Sequence, residues 1–181
     1  MMSREHPCTE PIVSTATPQR PRVLGALNAS SRADRAEAAA AAYYQNGLWC
    51  GESVVKAVNE ALGMPMPDGV HRMASGFCEG LGGSRCICGA LAGAVMASGI
   101  VLGRGAASDP WEPSYDAAAE LRRRWVSYEQ ATTCHEVAER HGGMSAPERW
   151  AHCAVLVGLA ARWVIELVDD AQQDAASTAS L

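Results

Sequence analysis

The chain has 181 residues, of which 48% are hydrophobic and 19% charged, and its formal net charge at pH 7 is −5. This length is sufficient for one domain with a hydrophobic core and short tails. The acidic balance disfavours sequence-independent binding of nucleic acid, which depends on neutralising phosphates. The seven cysteines are odd in number and widely spaced, and no apolar signal segment precedes them. They therefore indicate ligands or redox groups of a cytoplasmic protein rather than the disulfides of a secreted one.

The N-terminal residues 1–32 are rich in proline, serine and threonine and show no apolar period. Such a segment buries too little surface to offset the entropy of ordering it, which predicts a flexible tail that takes no part in a site. Cys8, within this tail, is interpreted as incidental. From residue 33 onward the sequence favours helix. The helices predicted in chain order are 33–44, 49–62, 70–81, 86–102, 115–128, one that begins at 134, and one from about 147 to 169.

The segment from Cys86 to Gly103 contains eighteen uncharged residues, a length that would span a membrane. Its glycine and alanine content instead favours a central helix, buried on all sides, in a protein without membrane contact. No stretch alternates apolar and polar residues with the period of a strand. We therefore predict an all-α fold, with a single bundle-like domain over residues 33–171 and a C-terminal tail over residues 172–181.

The last two predicted helices begin with recognisable caps. Thr133 fits an N-cap residue, with the side chain of Glu136 returning to the Thr133 backbone N–H. Ser145 and Glu148 repeat this pattern, and Pro147 lies in the first turn, where its missing N–H is harmless. These caps predict helices that begin just after residues 133 and 145.

Four cysteines, Cys50, Cys88, Cys134 and Cys153, each lie inside or at the start of a predicted helix. They are too far apart in sequence for one short loop to gather them, so only a folded core could bring them together. The position of Cys134 at a helix start predicts a thiolate, because the free N–H groups and the helix dipole favour negative charge there. Taken singly, each cysteine is also explained as a small buried hydrophobic residue.

The cysteine at position 88 begins a CGALAG run in which Gly89 and Gly93 lie four apart on one helix face. Small residues at this spacing let another backbone approach closely. A site built from four converging sulfurs requires such an approach. The run therefore predicts that a second helix packs tightly against the helix that follows Cys88.

Three stretches, YQNGLWCGESV, ASGFCEGLG and CGALAGAVMASG, resemble the redox-active family named for its C–GCAxxG–C–C pattern. The later cysteines match this pattern as well, and the resemblance covers about residues 35–170. The same helical unit resembles the non-haem part of the split-Soret cytochromes. This resemblance implies that Cys50, Cys88, Cys134 and Cys153 ligate an iron–sulfur cluster, with their sulfurs within about 7 Å of one another.

Two further thiols distinguish this chain from the family pattern. Cys78 stands where the family has glycine, and Cys86 precedes Cys88 by two residues. We predict that at least one of them lines the same cavity as Cys88, as an additional ligand or a resolving thiol. The alternative is that both fill apolar space. The chain has no Cys-x-x-Cys-His motif, which excludes covalent c-type haem.

The histidines carry little signal. His135 and His152 each adjoin a signature cysteine, but neighbours on a helix point about 100° apart, so we expect them to support the site or face solvent rather than ligate. His71 and His141 have no special context in the sequence.

The sequence therefore favours a small helical redox protein with an iron–sulfur cluster, [2Fe–2S] rather than [4Fe–4S], that transfers electrons or performs a redox step in a larger pathway. One alternative is a cluster-free thiol–disulfide oxidoreductase, in which a thiolate such as Cys134 attacks and a neighbour resolves. Another is a helical module stapled by zinc without chemistry of its own. The expected partner is a redox protein or a small-molecule substrate, and a homodimer is left open.

Overall fold

A computed structural model of the chain describes residues 31–178. The expectations for the tail, including Cys8, fall almost entirely outside this range. The prediction of an all-α fold is confirmed, because the described residues contain helices and turns but no strand. The elements are α1 Arg32–Gln45, α2 Cys50–Ala61, a 3₁₀ helix Val70–Phe77, α3 Gly89–Leu102, α4 Glu112–Glu129, α5 Cys134–Arg140 and α6 Pro147–Thr178.

Helix α1 is capped by Ser31, two residues before the predicted domain start. The Ser31 hydroxyl accepts a hydrogen bond from the Asp34 amide, and the Asp34 carboxylate accepts one from the Ser31 amide, each at 3.0 Å. This reciprocal pair satisfies two N–H groups that a helix start leaves free. Arg32 then forms an ion pair with Asp169 of α6. The start of α1 is thus fixed both locally and against the opposite end of the chain.

The longest helix, α6, packs against α1, α2, α3 and α4 and supplies much of the core. It extends to Thr178, beyond the predicted end near Asp169. The residues that follow Asp169 form an exposed, polar continuation of the helix. Among the described helices, α6 has the length and composition to cross a membrane, and half of its most apolar window is buried in the protein. This is weak evidence for a span, since the core helix of a soluble protein has the same composition.

The Gly/Ala-rich helix α3 lies centrally, as predicted, but is buried on all sides only over its first half. Residues 89–94 are buried, whereas Val95 and Val101 are each 38% exposed. The predicted close approach is confirmed at Gly93, where an added Cβ would lie 2.8 Å from both Cα and the carbonyl oxygen of Gly51 in α2. Glycine at both positions lets the backbones of α2 and α3 touch.

The segment between α2 and α3 differs most from its prediction. The expected helix over 70–81 is a 3₁₀ helix that ends at Phe77, and α3 begins at Gly89 rather than at Cys86. Between them the backbone turns left-handed, with positive φ at Glu79, Leu81 and Arg85 as well as at the glycines. A right-handed helix cannot pass through such residues. The chain therefore forms a compact loop over residues 78–88, held by the bonds Arg85 N–H to Glu79 O and Cys86 N–H to Gly80 O.

The cap of α5 is confirmed in its first half. The Thr133 hydroxyl accepts from the Glu136 amide at 3.1 Å, as predicted. The carboxylate of Glu136 accepts from the Thr133 hydroxyl at 2.8 Å instead of from the backbone N–H. This places Cys134 at the first residue of α5.

Candidate redox and metal site

The four signature cysteines come from four different helices. Cys50 is the first residue of α2, Cys88 is the N-cap residue of α3, Cys134 is the first residue of α5, and Cys153 lies in the second turn of α6. All four are free thiols, two of them buried and two partly exposed. Three of them therefore stand at helix starts, as the sequence predicts for Cys134, whereas it predicts that Cys88 lies inside a helix that begins at Cys86.

The four thiols lie near enough to influence one another's ionisation in every pairwise combination. A charge on Cys50, Cys134 or Cys153 raises the pKa of Cys88. Charges on Cys134 and Cys153 raise the pKa of Cys50, and Cys153 raises that of Cys134. The fold thus gathers thiols that are widely spaced in sequence into one cluster of side chains.

Burial dominates the ionisation of this cluster. Desolvation, with the neighbouring thiols, raises the pKa of Cys50 to about 12. Desolvation also raises the pKa of Cys134 to about 11, against the opposing charges of Arg149 and Arg85. The prediction that the helix start makes Cys134 a thiolate is therefore wrong, because the loss of hydration outweighs the helix dipole. Near neutral pH all four groups are protonated thiols.

A buried guanidinium, that of Arg149, lies beside the cluster. Arg149 is only 3% exposed, and its guanidinium lies 4.1 Å from the ring centroid of Trp150 and 3.7 Å from a carboxylate oxygen of Glu79. It lowers the pKa of both Cys134 and Cys153 and donates a hydrogen bond to the Cys153 sulfur. The side chain therefore supplies positive charge where thiolates would form.

The sulfur of Cys153 accepts a second hydrogen bond, from the hydroxyl of Tyr44 in α1. Tyr44 is 2% exposed, and its ring packs against Trp150 with a centroid separation of 6.0 Å. Neither Tyr44 nor Arg149 is among the site residues predicted from the sequence. Arg149 carries one usable signal, its position four residues before Cys153 on the same helix face, whereas nothing local marks Tyr44.

The glycine after Cys88 provides the space that the Cys50 sulfur occupies. A Cβ on Gly89 would clash with the Cys50 sulfur and would lie 2.5 Å from the carbonyl oxygen of Phe77. On the other side, the carboxylate of Glu52 accepts from the Trp49 amide at 2.7 Å and from the Ser75 hydroxyl at 2.5 Å. These bonds fix the start of α2, and with it the position of Cys50.

The left-handed loop over residues 78–88 covers Cys134. A Cβ on Gly80 would lie 2.7 Å from the Cys134 Cβ, and the Arg85 carbonyl accepts from the His135 amide at 3.1 Å. The amide of Cys88 donates to the Thr132 carbonyl at 2.8 Å. The loop thus ties the beginnings of α3 and α5 together.

The two additional cysteines differ from the four. Cys78 is a partly exposed free thiol whose pKa is raised by burial and by the charges of Glu79 and Glu52. Cys86 is disulfide-bonded and lines an open cleft of about 450 Å³ with Leu91 of α3 and Arg122 of α4. A role for either as an additional ligand stays a prediction.

A second group of metal-binding side chains lies outside the four cysteines. The buried carboxylate of Glu129 accepts a hydrogen bond from His152 at 2.6 Å and lies 3.8 Å from the Nε2 atom of His141. The two imidazole rings stack with centroids 3.7 Å apart. Burial and the nearby His152 lower the pKa of His141. The sequence predicts that His152 supports the four-cysteine site or faces solvent, whereas its ring bonds to Glu129 and stacks on His141. No local pattern in the sequence indicates this partnership.

An all-α domain in which four free cysteines share one site defines a class of thiol-based redox or metal-binding proteins. More particularly, the chain belongs to the family described as "Putative redox-active protein (C_GCAxxG_C_C)", whose model matches residues 48–167. This confirms the family resemblance seen in the sequence. No curated protein and no solved structure shows significant similarity to the chain.

The residues present fit a cluster of iron and sulfide. Four thiols are the ligand set that such clusters use, and the missing side chain at Gly89 leaves their sulfurs room. The side-chain Nε atoms of Arg85 and Arg149 are buried and have no hydrogen-bond partner within the described part of the chain. Unpaired buried donors beside the cysteines suit a group that brings acceptor sulfur atoms with it.

Proposed function

We propose that this redox protein holds an iron–sulfur cluster through Cys50, Cys88, Cys134 and Cys153, and transfers electrons to or from a redox partner in the cytoplasm. The family supports a redox role. The observation that carries the finer proposal is the mutual electrostatic effect of all four thiols in one largely buried site. Resemblance to the split-Soret cytochromes supports an iron–sulfur centre, and four cysteine ligands suit both [2Fe–2S], the cluster proposed here, and [4Fe–4S].

When bound, a cluster of this type supplies one-electron transfer. The chain's own residues hold and tune it. The hydroxyl of Tyr44 and the guanidinium of Arg149 donate to the Cys153 sulfur, which stabilises negative charge on that ligand. Cys50 and Cys153 are partly exposed, so the site lies near the surface, where a partner could approach it.

The raised thiol pKa values disfavour the alternative of a thiol–disulfide oxidoreductase. The attacking group in such an enzyme is a thiolate, whose pKa is usually lowered by its surroundings. In this site the pKa of Cys50 is about 12 and that of Cys134 about 11. Metal ions, in contrast, displace protons from cysteine ligands as they bind.

Anaerobic purification with counting of iron and acid-labile sulfide per chain tests the proposal. We expect a coloured protein with iron and sulfide in equal amounts, two of each for [2Fe–2S] and four of each for [4Fe–4S]. Serine in place of any one of the four cysteines should reduce the iron content and change the absorption and EPR spectra. The variants Cys78→Ser and Cys86→Ser are the matched comparisons, and retention of iron in both limits the ligands to four.

Each alternative has its own outcome in this experiment. A colourless protein with one zinc per chain would replace the cluster by the zinc-stapled module. A metal-free protein whose thiols form reversible disulfides between members of the set would support the oxidoreductase. Either result contradicts the iron–sulfur proposal.

A further inference from the structure

We propose that Glu129, His141 and His152 form a second metal site, which binds a divalent transition-metal ion of the Zn²⁺ type through two imidazole nitrogens and one carboxylate oxygen. One ligand atom from each residue lies within 4.8 Å of the other two. Two histidines and one glutamate are the protein ligands of a catalytic type of zinc site, in which water takes the fourth position. The proposal does not depend on an iron–sulfur cluster at the four cysteines.

Three separate elements converge to build this group. Glu129 is the last residue of α4, His141 is the C-cap residue of α5, and His152 lies in the second turn of α6. The guanidinium of Arg140 donates to the backbone carbonyls of Glu129 at 2.5 Å and Gln130 at 3.2 Å. This bridge fixes the end of α4 beside the end of α5, so the arrangement does not rest on flexible surface side chains.

The burial of Glu129 is the strongest sign of a cation. Its side chain is only 4% exposed, and a buried carboxylate is costly unless it is paired or coordinates a metal. The charged side chain of Arg140 contacts the backbone carbonyl of Glu129, while the carboxylate faces the two imidazoles. A divalent ion between these groups would give the buried carboxylate a cationic partner.

The distances require only small movements. Ligand atoms about 2.1 Å from a tetrahedral zinc ion lie roughly 3.4 Å apart. His152 Nε2 lies 2.6 Å from one carboxylate oxygen of Glu129, and His141 Nε2 lies 3.8 Å from the other. One ligand atom from each of the three residues lies within 4.8 Å of the other two. The stacked rings are inclined by 20°, so one ring must turn for both nitrogens to face the ion. His141 can turn, because it follows the end of α5 and its side chain is 30% exposed.

The second site is separate from the four cysteines although His152 precedes Cys153. His152 faces Glu129, whereas the Cys153 sulfur accepts from Tyr44 and Arg149. The two faces follow from the angle of about 100° between consecutive residues on a helix. The Glu129 carboxylate lies near enough to Cys153 to raise the pKa of that thiol, so Glu129→Gln can affect both sites. The metal count of His141→Ala is therefore the measurement that addresses the second site alone.

Zinc titration of chelator-treated full-length protein tests the proposal, with bound zinc counted per chain in the wild type, Glu129→Gln, His141→Ala and the control His71→Ala. We expect the wild type and the control to hold one zinc more than the other two. Zinc at a hundredfold excess over its dissociation constant should raise the Tm of the wild type and the control by about 5–10 °C more than that of Glu129→Gln and His141→Ala. Equal zinc counts and equal Tm shifts in all four proteins would overturn the proposal.

Cobalt distinguishes this site from the cysteines. A thiolate–cobalt charge-transfer band reports the cysteine ligands alone, so it should persist in His141→Ala while one equivalent of bound cobalt is lost. Loss of the band together with the metal would show instead that His141 supports the cysteine site, which also contradicts the proposal. His141 is partly exposed, so its removal should leave the fold intact, as circular dichroism can check.

Discussion

The contact between Gly93 and Gly51 gives a prediction whose magnitude can be worked out from the structure. In Gly93→Ala the new methyl would lie 2.8 Å from the Gly51 Cα and carbonyl oxygen, both backbone atoms that cannot rotate away. Helices α2 and α3 must then separate. Overpacking of this kind costs about 1–3 kcal/mol, while alanine gains about 1 kcal/mol in helix propensity. The net effect should range from neutral to a loss of about 2 kcal/mol.

Gly99→Ala is a matched control on the same helix. Gly99 is exposed, and a Cβ there has no neighbour within 4 Å, so this variant should gain the propensity without the clash. The propensity gain cancels between the two, and Gly99→Ala should be more stable by about 1–3 kcal/mol. For a protein of this size that corresponds to a Tm difference of about 2–12 °C, measurable by circular dichroism. Equal melting temperatures would refute the tight packing of α2 on α3.

Two more outcomes follow from the site. Tyr44→Phe keeps the packed ring but removes the hydrogen bond to Cys153. The reduction potential of the cluster-loaded protein should therefore fall by about 40 mV for each 1 kcal/mol of stabilisation lost from the reduced state. An unchanged potential in protein-film voltammetry would contradict the assigned bond. In the metal-free protein, the folded state keeps protons that the unfolded state releases above the ordinary cysteine pKa of 9.0, because the pKa of Cys50 is about 12 and that of Cys134 about 11. The contribution of these thiols to the free energy of unfolding is therefore constant below pH 9 and decreases as the pH rises toward 11, by up to about 1.4 kcal/mol per pH unit for each thiol. Thermal melts should show that the Tm falls less between pH 7 and pH 10 in Cys50→Ser than in the wild type.

The sequence predicts the regular part of this fold well because its helices carry local signals. The alanines of α1 and the cap at Thr133 each act within a few residues. The 78–88 loop has no such determinant. Glycines permit left-handed backbone but do not require it, and Glu79 and Leu81 adopt positive φ at a local cost that only tertiary contacts can offset.

The candidate site divides in the same way. The order of the four cysteines and the helix start at Cys134 could be read from the sequence. The ionisation of Cys134 could not, because the helix dipole is a local property whereas desolvation depends on what packs around the thiol. The group of Glu129, His141 and His152 brings together the end of α4, the end of α5 and the second turn of α6. No short motif contains all three residues.

The charges around the four cysteines explain why raised thiol pKa values are compatible with a metal-binding role. Without metal the thiols are protonated, so the carboxylate of Glu79, at 3.7 Å, is the countercharge of the buried Arg149 guanidinium. Binding a metal or cluster would remove the thiol protons, and the new negative charge would face Arg149 and Arg85, both of which already lower the pKa of Cys134. The same burial suppresses free thiolates, which react most readily with disulfides and oxidants. A site with these charges should therefore favour metal ligation over thiol exchange.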